Sequence, residues 1–173
     1  EVQVGMGRTG KLFAYMHEDA APDIMTLAKA LGNGFPIGAM LATDKIASAL
    51  SPGNHASTFG GNPLAMAAGK ATLEVMTQEG IVAHGADMGV CLQDELKNLG
   101  KRHSCIKDIR GRGLIIGVEL DKEVADIMNR CIEKGVLIGS AGTHVLRFLP
   151  PLIVEKNDVD RLITTLDEVL EDA

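Results

Sequence analysis

An ammonium group set among apolar and small residues, with no carboxylate close by in sequence, loses hydration, and its pKa falls. Lys29 has that setting. Residues 24–38 read Ile-Met-Thr-Leu-Ala-Lys-Ala-Leu-Gly-Asn-Gly-Phe-Pro-Ile-Gly, with no acidic residue in the run. A neutral amine near neutral pH is the nucleophile needed to form a Schiff base with a carbonyl compound. Gly32, Gly34 and Gly38 let the backbone turn tightly or approach a ligand, and Pro36 stiffens the segment. Taken alone, these residues fit a plainer reading at least as well, a lysine snorkelling out of a half-buried strand end. Arg147 is the second chemically pointed residue. It stands between Leu146 and Phe148 on an apolar strand, and a guanidinium cannot be neutralised to escape burial, so it needs a carboxylate or an open end. Bidentate binding of a ligand carboxylate and a structural salt bridge both meet that need. Ser57 and Thr58 precede the helix start Asn62-Pro63. Two hydroxyls with free backbone N–H groups can hold a phosphate or carboxylate, or serve only as turn formers.

One motif is a decoy. Gly5-Met6-Gly7-Arg8-Thr9-Gly10-Lys11 matches G-x-G-x-x-G and nearly matches a P-loop, but Leu12 stands where a magnesium-binding Ser or Thr belongs. A P-loop also requires a full apolar strand before it and a helix directly after the Gly-Lys. Val2 and Val4 alone do not make that strand, so a nucleotide-binding module is a weak alternative. The five histidines show no metal-ligand spacing, and no metal site is expected.

Composition narrows the classes further. The 173 residues carry a formal charge of -6 and are 46% hydrophobic, with a pI near 5.3. That suits a soluble globular chain with an ample core and offers no basic patch to nucleic acid or an anionic membrane. Aromatics make up 3%, which disfavours a base-stacking platform. Cys91, Cys105 and Cys131 have no C-x-x-C spacing, which suits a reducing compartment, the cytoplasm by default.

The elements that must position Lys29, Ser57, Thr58 and Arg147 follow from periodicity and punctuation. Residues 1–4 read as a strand end, 24–27 and 37–42 as short strands with Lys29 on the loop between them. Asp44 caps a helix to Leu50. Asn62-Pro63 starts a helix over 64–76. A second helix covers 81–99, followed by strands at 106–110 and 114–120 around Gly111-Arg112-Gly113, a helix over 124–134 stopped by Gly135, strands at 136–138 and 145–148, and an acidic amphipathic helix over 158–170. The fold class is α/β, with a domain boundary near Gly80: 1–80 and 81–173.

Glu1-Val2-Gln3-Val4-Gly5-Met6-Gly7-Arg8-Thr9-Gly10, Pro22-Asp23-Ile24 leading to Lys29, Ser57-Thr58-Phe59-Gly60-Gly61-Asn62-Pro63 and Leu146-Arg147-Phe148-Leu149-Pro150-Pro151 together resemble the class III pyridoxal-phosphate-dependent aminotransferases, over essentially the whole chain. The resemblance implies the C-terminal portion of a fold-type-I transferase. Residues 1–80 would end the large, mainly parallel-sheet, cofactor-binding domain, and 81–173 would form the small C-terminal α+β domain. It implies pyridoxal 5'-phosphate carried on Lys29, with Glu1, Val2 and Gln3 at the cofactor. Thr58 would bind the phosphate in a homodimer partner's site, Ser57 would meet substrate, and Arg147 would grip the substrate's α-carboxylate. The implied activity is amino transfer between an amino acid and a 2-oxo acid, first N-acetylornithine and 2-oxoglutarate, with ornithine, succinyl-diaminopimelate or 4-aminobutyrate open. In the family an aspartate that pairs with the cofactor's ring nitrogen stands just before this Glu. The chain is therefore expected to be a piece of a longer enzyme, inactive alone, with the strands at 24–27 and 37–42 stripped of partners and order chiefly from residue 81 onward. A non-catalytic folded fragment is the remaining alternative.

Overall fold

The structure, a computed structural model, describes residues 1–18 and 20–171. The chain is mixed α/β and divides into two compact units, Glu1–Val82 and Ala83–Ala173.

In the first unit, a run of turns over residues 1–10 replaces the expected strand end. The Gly5 N–H donates to the Glu1 carbonyl at 2.9 Å and closes the chain on itself before a strand can form. A 3-10 turn (Ala14–His17) follows, then β1 (Ile24–Leu27) and β2 (Ala39–Ala42). These two strands pair antiparallel, from Ile24↔Ala42 to Leu27↔Ala39, so they are not stripped of partners, and order is not confined to the residues beyond 81. Their side chains are less well covered: Ile24, Met40 and Leu41 remain about half exposed. The helix expected from Asp44 to Leu50 is one turn, α1 (Asp44–Ala47), and its cap position is Thr43 rather than Asp44. α2 (Pro63–Gln78) begins where the sequence places it, with the Asn62 side chain accepting from the Ala65 N–H and Pro63 in the first turn.

The second unit is a four-stranded antiparallel sheet in the order β3-β4-β6-β5, with helices α3 (Ile81–Gly100), α4 (Ala125–Glu133) and α5 (Lys156–Glu171). Strands β3 (Ile106–Arg112) and β4 (Ile115–Leu120) form a hairpin, and β6 (Val145–Phe148) lies between β4 and β5 (Gly139–Ser140). Alternation decides the faces. Ile116, Val118 and Leu120 of β4 and Leu146 and Phe148 of β6 are buried, and the residues between them are not. Met88, Leu92, Leu96 and Leu99 on α3 recur at helical spacing and join the same core. Each such buried side chain contributes about 1.5–3 kcal/mol.

The strand expected at 136–138 is displaced to Gly139–Ser140. The end of α4 uses the backbone of the earlier residues: Gly135, at φ +76, donates to the Ile132 carbonyl and Val136 to the Cys131 carbonyl, a Schellman closure that spends Val136 on the helix. Cys131 lies in the core, and burial pushes its thiol pKa up. Near the middle of α3, the added Cβ of any residue at Gly89 would lie 2.5 Å from Gly113 backbone atoms, so that glycine sets how closely the helix meets the hairpin.

The chain just past α3 is tied to α5 by charge. His103 is buried, and its Nε2 lies 2.6 Å from Asp167 Oδ1, with Arg102 on the other carboxylate oxygen. The hydrogen bond to His103, then that from Arg102, holds the Asp167 carboxyl below the usual carboxylate range. A carboxylate whose folded pKa lies below its unfolded one contributes stability that is complete above about pH 3.9 and is lost as pH falls through the folded value. Asp167→Asn should therefore lower Tm at pH 7 by about 2–4 °C, and the difference from wild type should shrink on acidification to pH 3. An unchanged Tm across that range would remove this tie from the stability of the unit.

Candidate functional site

Lys29 opens a 3-10 turn (Lys29–Leu31) directly after β1. Its backbone is left-handed, at φ +46, a conformation costing a non-glycine residue roughly 1–2 kcal/mol. The turn is over-determined by its neighbours. Leu31, Gly32 and Asn33 donate in succession to the carbonyls of Ala28, Lys29 and Ala30, and Phe35 donates back to Gly32. A Cβ at Gly32 would stand 2.2 Å from the Phe35 carbonyl oxygen, whereas at Gly38 it would meet only an ordinary 3.6 Å contact. Of the glycines expected to permit this turn, Gly32 is required by space and Gly34 by its φ of +108, and Gly38 by neither. α2 buttresses the turn through Gly69, where a Cβ would lie 3.4 Å from Ile37 Cδ1 and 3.7 Å from the Leu31 carbonyl.

The side chain of Lys29 departs from expectation. Leu27 and Leu31 on either side are 6% exposed, but Lys29 itself is exposed, so the apolar residues around it in sequence turn inward and leave the amine in water. Among the described residues it enters no hydrogen bond or ion pair. The amine is thus free of competing carboxylates without being desolvated in this chain.

The Glu1 carboxylate is committed to the backbone, accepting from Ala14 N–H at 2.9 Å and Tyr15 N–H at 3.0 Å. It acts across the loop as a cap for the 3-10 turn there, a role that nothing local in the sequence signals. Val2 and Gln3 follow on the exposed side. The P-loop resemblance dissolves here: Lys11 Nζ donates to the Met16 carbonyl at 2.6 Å, and four residues of 3-10 turn stand where a phosphate-binding helix would begin.

Ser57 and Thr58 lie on an exposed loop over residues 51–61. The helix behind them is a poorer anion site than its sequence suggests. Pro63 has no N–H, the Ala65 N–H is taken by Asn62 Oδ1 at 2.9 Å, and Met66 bonds the Asn62 carbonyl. Of its first four residues, only Leu64 keeps an N–H not spent in these bonds, so an anion held on this loop would draw on the loop's own N–H groups and the Ser57 and Thr58 hydroxyls more than on the helix.

In the second unit, Arg147 projects from the face of β6 opposite the core. The row across the sheet at its level reads Arg110, Gly117, Arg147, Gly139. Arg110 is neutralised within the chain, by Asp108 and Glu119 at 2.6 Å each, and these carboxylates raise its pKa. Arg147 is not. Its Nε is buried with no acceptor, and among the described residues the guanidinium forms no ion pair. Of the two readings open from sequence, the intrachain salt bridge is absent among the described residues, and the carboxylate-seeking one stands. Beside Arg147, at the β5 edge, a groove of about 690 Å³ is lined by Leu137, Gly139, Leu149 and Pro150 among others.

Among the described residues the first unit thus offers a primary amine and two hydroxyls without a partner, and the second unit, taken by itself, a guanidinium without an ion pair. A model of the family described as Aminotransferase class-III matches residues 1–170, and the chain belongs to that family. It is 51% identical to acetylornithine aminotransferase of Caldanaerobacter subterraneus subsp. tengcongensis, over 99% of this chain and 44% of that protein. To acetylornithine aminotransferase of Methanocaldococcus jannaschii it is 52% identical, over 98% of this chain and 42% of that protein. Ornithine aminotransferase 1 of Staphylococcus saprophyticus is 44% identical, over 99% of this chain and 43% of that protein. The chain thus spans less than half the length of these relatives. The crystal structure of acetylornithine aminotransferase from Elizabethkingia anophelis superposes with a TM-score of 0.93 at 32% identity, covering 100% of this chain and 45% of that one.

The packing of the Lys29 turn is directly testable. In the intact protein, Gly32→Ala should cost about 1–3 kcal/mol of stability, since Phe35 or the turn must move. A urea midpoint equal to wild type would show that the turn is less constrained than its geometry implies.

Proposed function

We propose that this chain is part of a pyridoxal-phosphate-dependent aminotransferase that exchanges an amino group between N-acetylornithine and 2-oxoglutarate, a step in arginine biosynthesis. One observation carries the reading: in a chain matched end to end by acetylornithine aminotransferases, the amine of Lys29 and the guanidinium of Arg147 are both, among the described residues, without a carboxylate partner. In this reading the unit Glu1–Val82 is the end of the large cofactor-binding domain, and Ala83–Ala173 is the small C-terminal domain. The remaining length of the relatives would carry the aspartate for the ring nitrogen and the rest of the phosphate cradle. The enzyme is a cytoplasmic homodimer.

Pyridoxal phosphate, when bound, supplies an electron sink that lets a proton leave the α-carbon of an amino acid. Lys29 Nζ is the group that would carry it. As a neutral amine, Lys29 accepts the proton from the substrate α-carbon and, as an ammonium, gives one back, general base and then general acid. Its buttressed backbone fixes where Cα stands, and the side chain is ordered by what it binds. Arg147 holds the α-carboxylate through two parallel N–H donors and so fixes which bond at the α-carbon is presented. Val2 and Gln3 are assigned to the cofactor ring, and Glu1 holds their loop through its bonds to residues 14 and 15. Thr58 donates to the phosphate and Ser57 meets substrate, each serving the site of the partner subunit. Ornithine is the second donor to test, because an ornithine aminotransferase stands among the relatives at 44% identity.

Incubation of the intact enzyme with pyridoxal phosphate followed by borohydride should leave a pyridoxyl group on the peptide containing Lys29, and Lys29→Ala should abolish both the label and turnover, a loss of at least about 10³-fold. A label on another lysine, or near-normal transamination by the alanine variant, would end the assignment. Arg147→Lys should raise KM for amino acid and oxo acid alike by about 10–100-fold, because an ammonium cannot reproduce the two-point grip. Unchanged Michaelis constants would return Arg147 to a structural role.

A further inference from the structure

The chain passes from Ser57 and Thr58 into α2 through a tight turn. Phe59, Gly60, Gly61 and Asn62 form it, closed by the Asn62 N–H on the Phe59 carbonyl at 3.3 Å, with Gly61 at φ +71 in its third position. Ser57 to Gly61 are all exposed, Phe59 at 79%. Packing within this unit therefore does not hold the loop, and hydrogen bonds have to.

Among the described residues, the bonds that fasten residues 57–61 come from Asn62. Its Nδ2 donates to the Phe59 carbonyl at 3.0 Å, the same oxygen that accepts the Asn62 N–H, while its Oδ1 accepts the Ala65 N–H at 2.9 Å. A backbone N–H can meet only the amide oxygen and a carbonyl only the amide nitrogen, so the two partners together fix which way the amide faces. One side chain thus ties the turn to the third residue of α2. The turn also folds back on its own start: a Cβ at Gly60 would lie 3.0 Å from Ser57 Cβ and Oγ.

Capping alone does not call for asparagine. Serine and aspartate cap a helix equally well, and either supplies the oxygen that Ala65 needs. Neither replaces the donor to Phe59, since serine has one oxygen for both tasks and aspartate turns a negative charge toward the carbonyl. We propose that Asn62 is a positioning residue for the phosphate-binding hydroxyl of Thr58. By holding the next residue's carbonyl against the helix, its amide orders the loop beforehand, and a phosphate that meets Thr58 has less chain to immobilise. The inference rests on the reading of Thr58 as a phosphate ligand.

The test uses the intact enzyme, freed of cofactor and titrated with pyridoxal phosphate, with Kd read from the absorbance of the bound cofactor and Tm measured before the titration. Asn62→Ser and Asn62→Asp keep a cap acceptor and drop the amide donor. Both should leave Tm within about 2 °C of wild type and raise the Kd of pyridoxal phosphate about 3–10-fold, the effect of one hydrogen bond. Serine brings no charge, so its value excludes simple repulsion of the phosphate, and it decides alone should Asn62→Asp fail to fold. Pyridoxal, which has no phosphate, should bind variants and wild type alike. If Asn62→Ser binds pyridoxal phosphate as wild type does, or loses pyridoxal to the same extent, while Thr58→Ala loses pyridoxal phosphate, the role of Asn62 is overturned and the reading of Thr58 survives. If Thr58→Ala also binds normally, that reading falls and this inference with it.

Discussion

A guanidinium keeps its charge at any pH a protein meets, and that constraint governs the outer face of the second unit. Arg110 and Arg147 occupy one row of the sheet, two strands apart, with Gly117 between them. For Arg110 the chain supplies two carboxylates, so its charge is spent on the hairpin. At Arg147 no carboxylate of the described residues is paired, and the Nε is buried without an acceptor on a strand whose Leu146 and Phe148 face the core. An unpaired, partly covered cation is tolerable only if solvent or a ligand completes it. The same sheet therefore carries one arginine paired within its hairpin and one without an ion pair among the described residues.

Lys29 meets the opposite constraint. An ammonium can give up its proton, so its environment is free to set reactivity, and here the chain controls position first. The left-handed backbone, the succession of turn hydrogen bonds and the contact of α2 through Gly69 fix where Cα stands, and the side chain is left free in water. Strain of this kind persists only where surrounding structure over-determines it.

Much of this was legible in the sequence. Asn62-Pro63 announced the start of α2, and alternation along 114–120 and 145–148 announced the buried and open faces of β4 and β6, because caps and strand periodicity are local properties. Position 139 was not legible, since Val136-Leu137-Ile138 is the better strand by composition and only the Schellman closure of α4 draws the pairing onward to Gly139. The desolvation expected of Lys29 failed for a related reason. Sequence neighbours share a run without sharing a side, and a residue at positive φ turns away from the leucines that flank it. The Glu1 carboxylate, which bonds the backbone 13 and 14 residues on, and the row of Arg110 with Arg147 depend on register between distant segments, which no local pattern contains.

The distribution of charge pairs then separates holding from acting. His103, Arg102 and Asp167 tie the end of α3 to α5, and Lys156 reaches both Glu95 and Asp160 to brace the start of α5. Lys134 pairs with Glu168 further along the same helix. Each of these side chains has an acidic partner on a packed element, so each removes a degree of freedom and gains little from a ligand. Lys29 and Arg147, like Lys11, Lys45, Lys101 and Arg161, have no carboxylate partner among the described residues, although the chain carries more acidic than basic residues, 23 against 17. In a net acidic chain, a cation without a partner reflects placement rather than shortage.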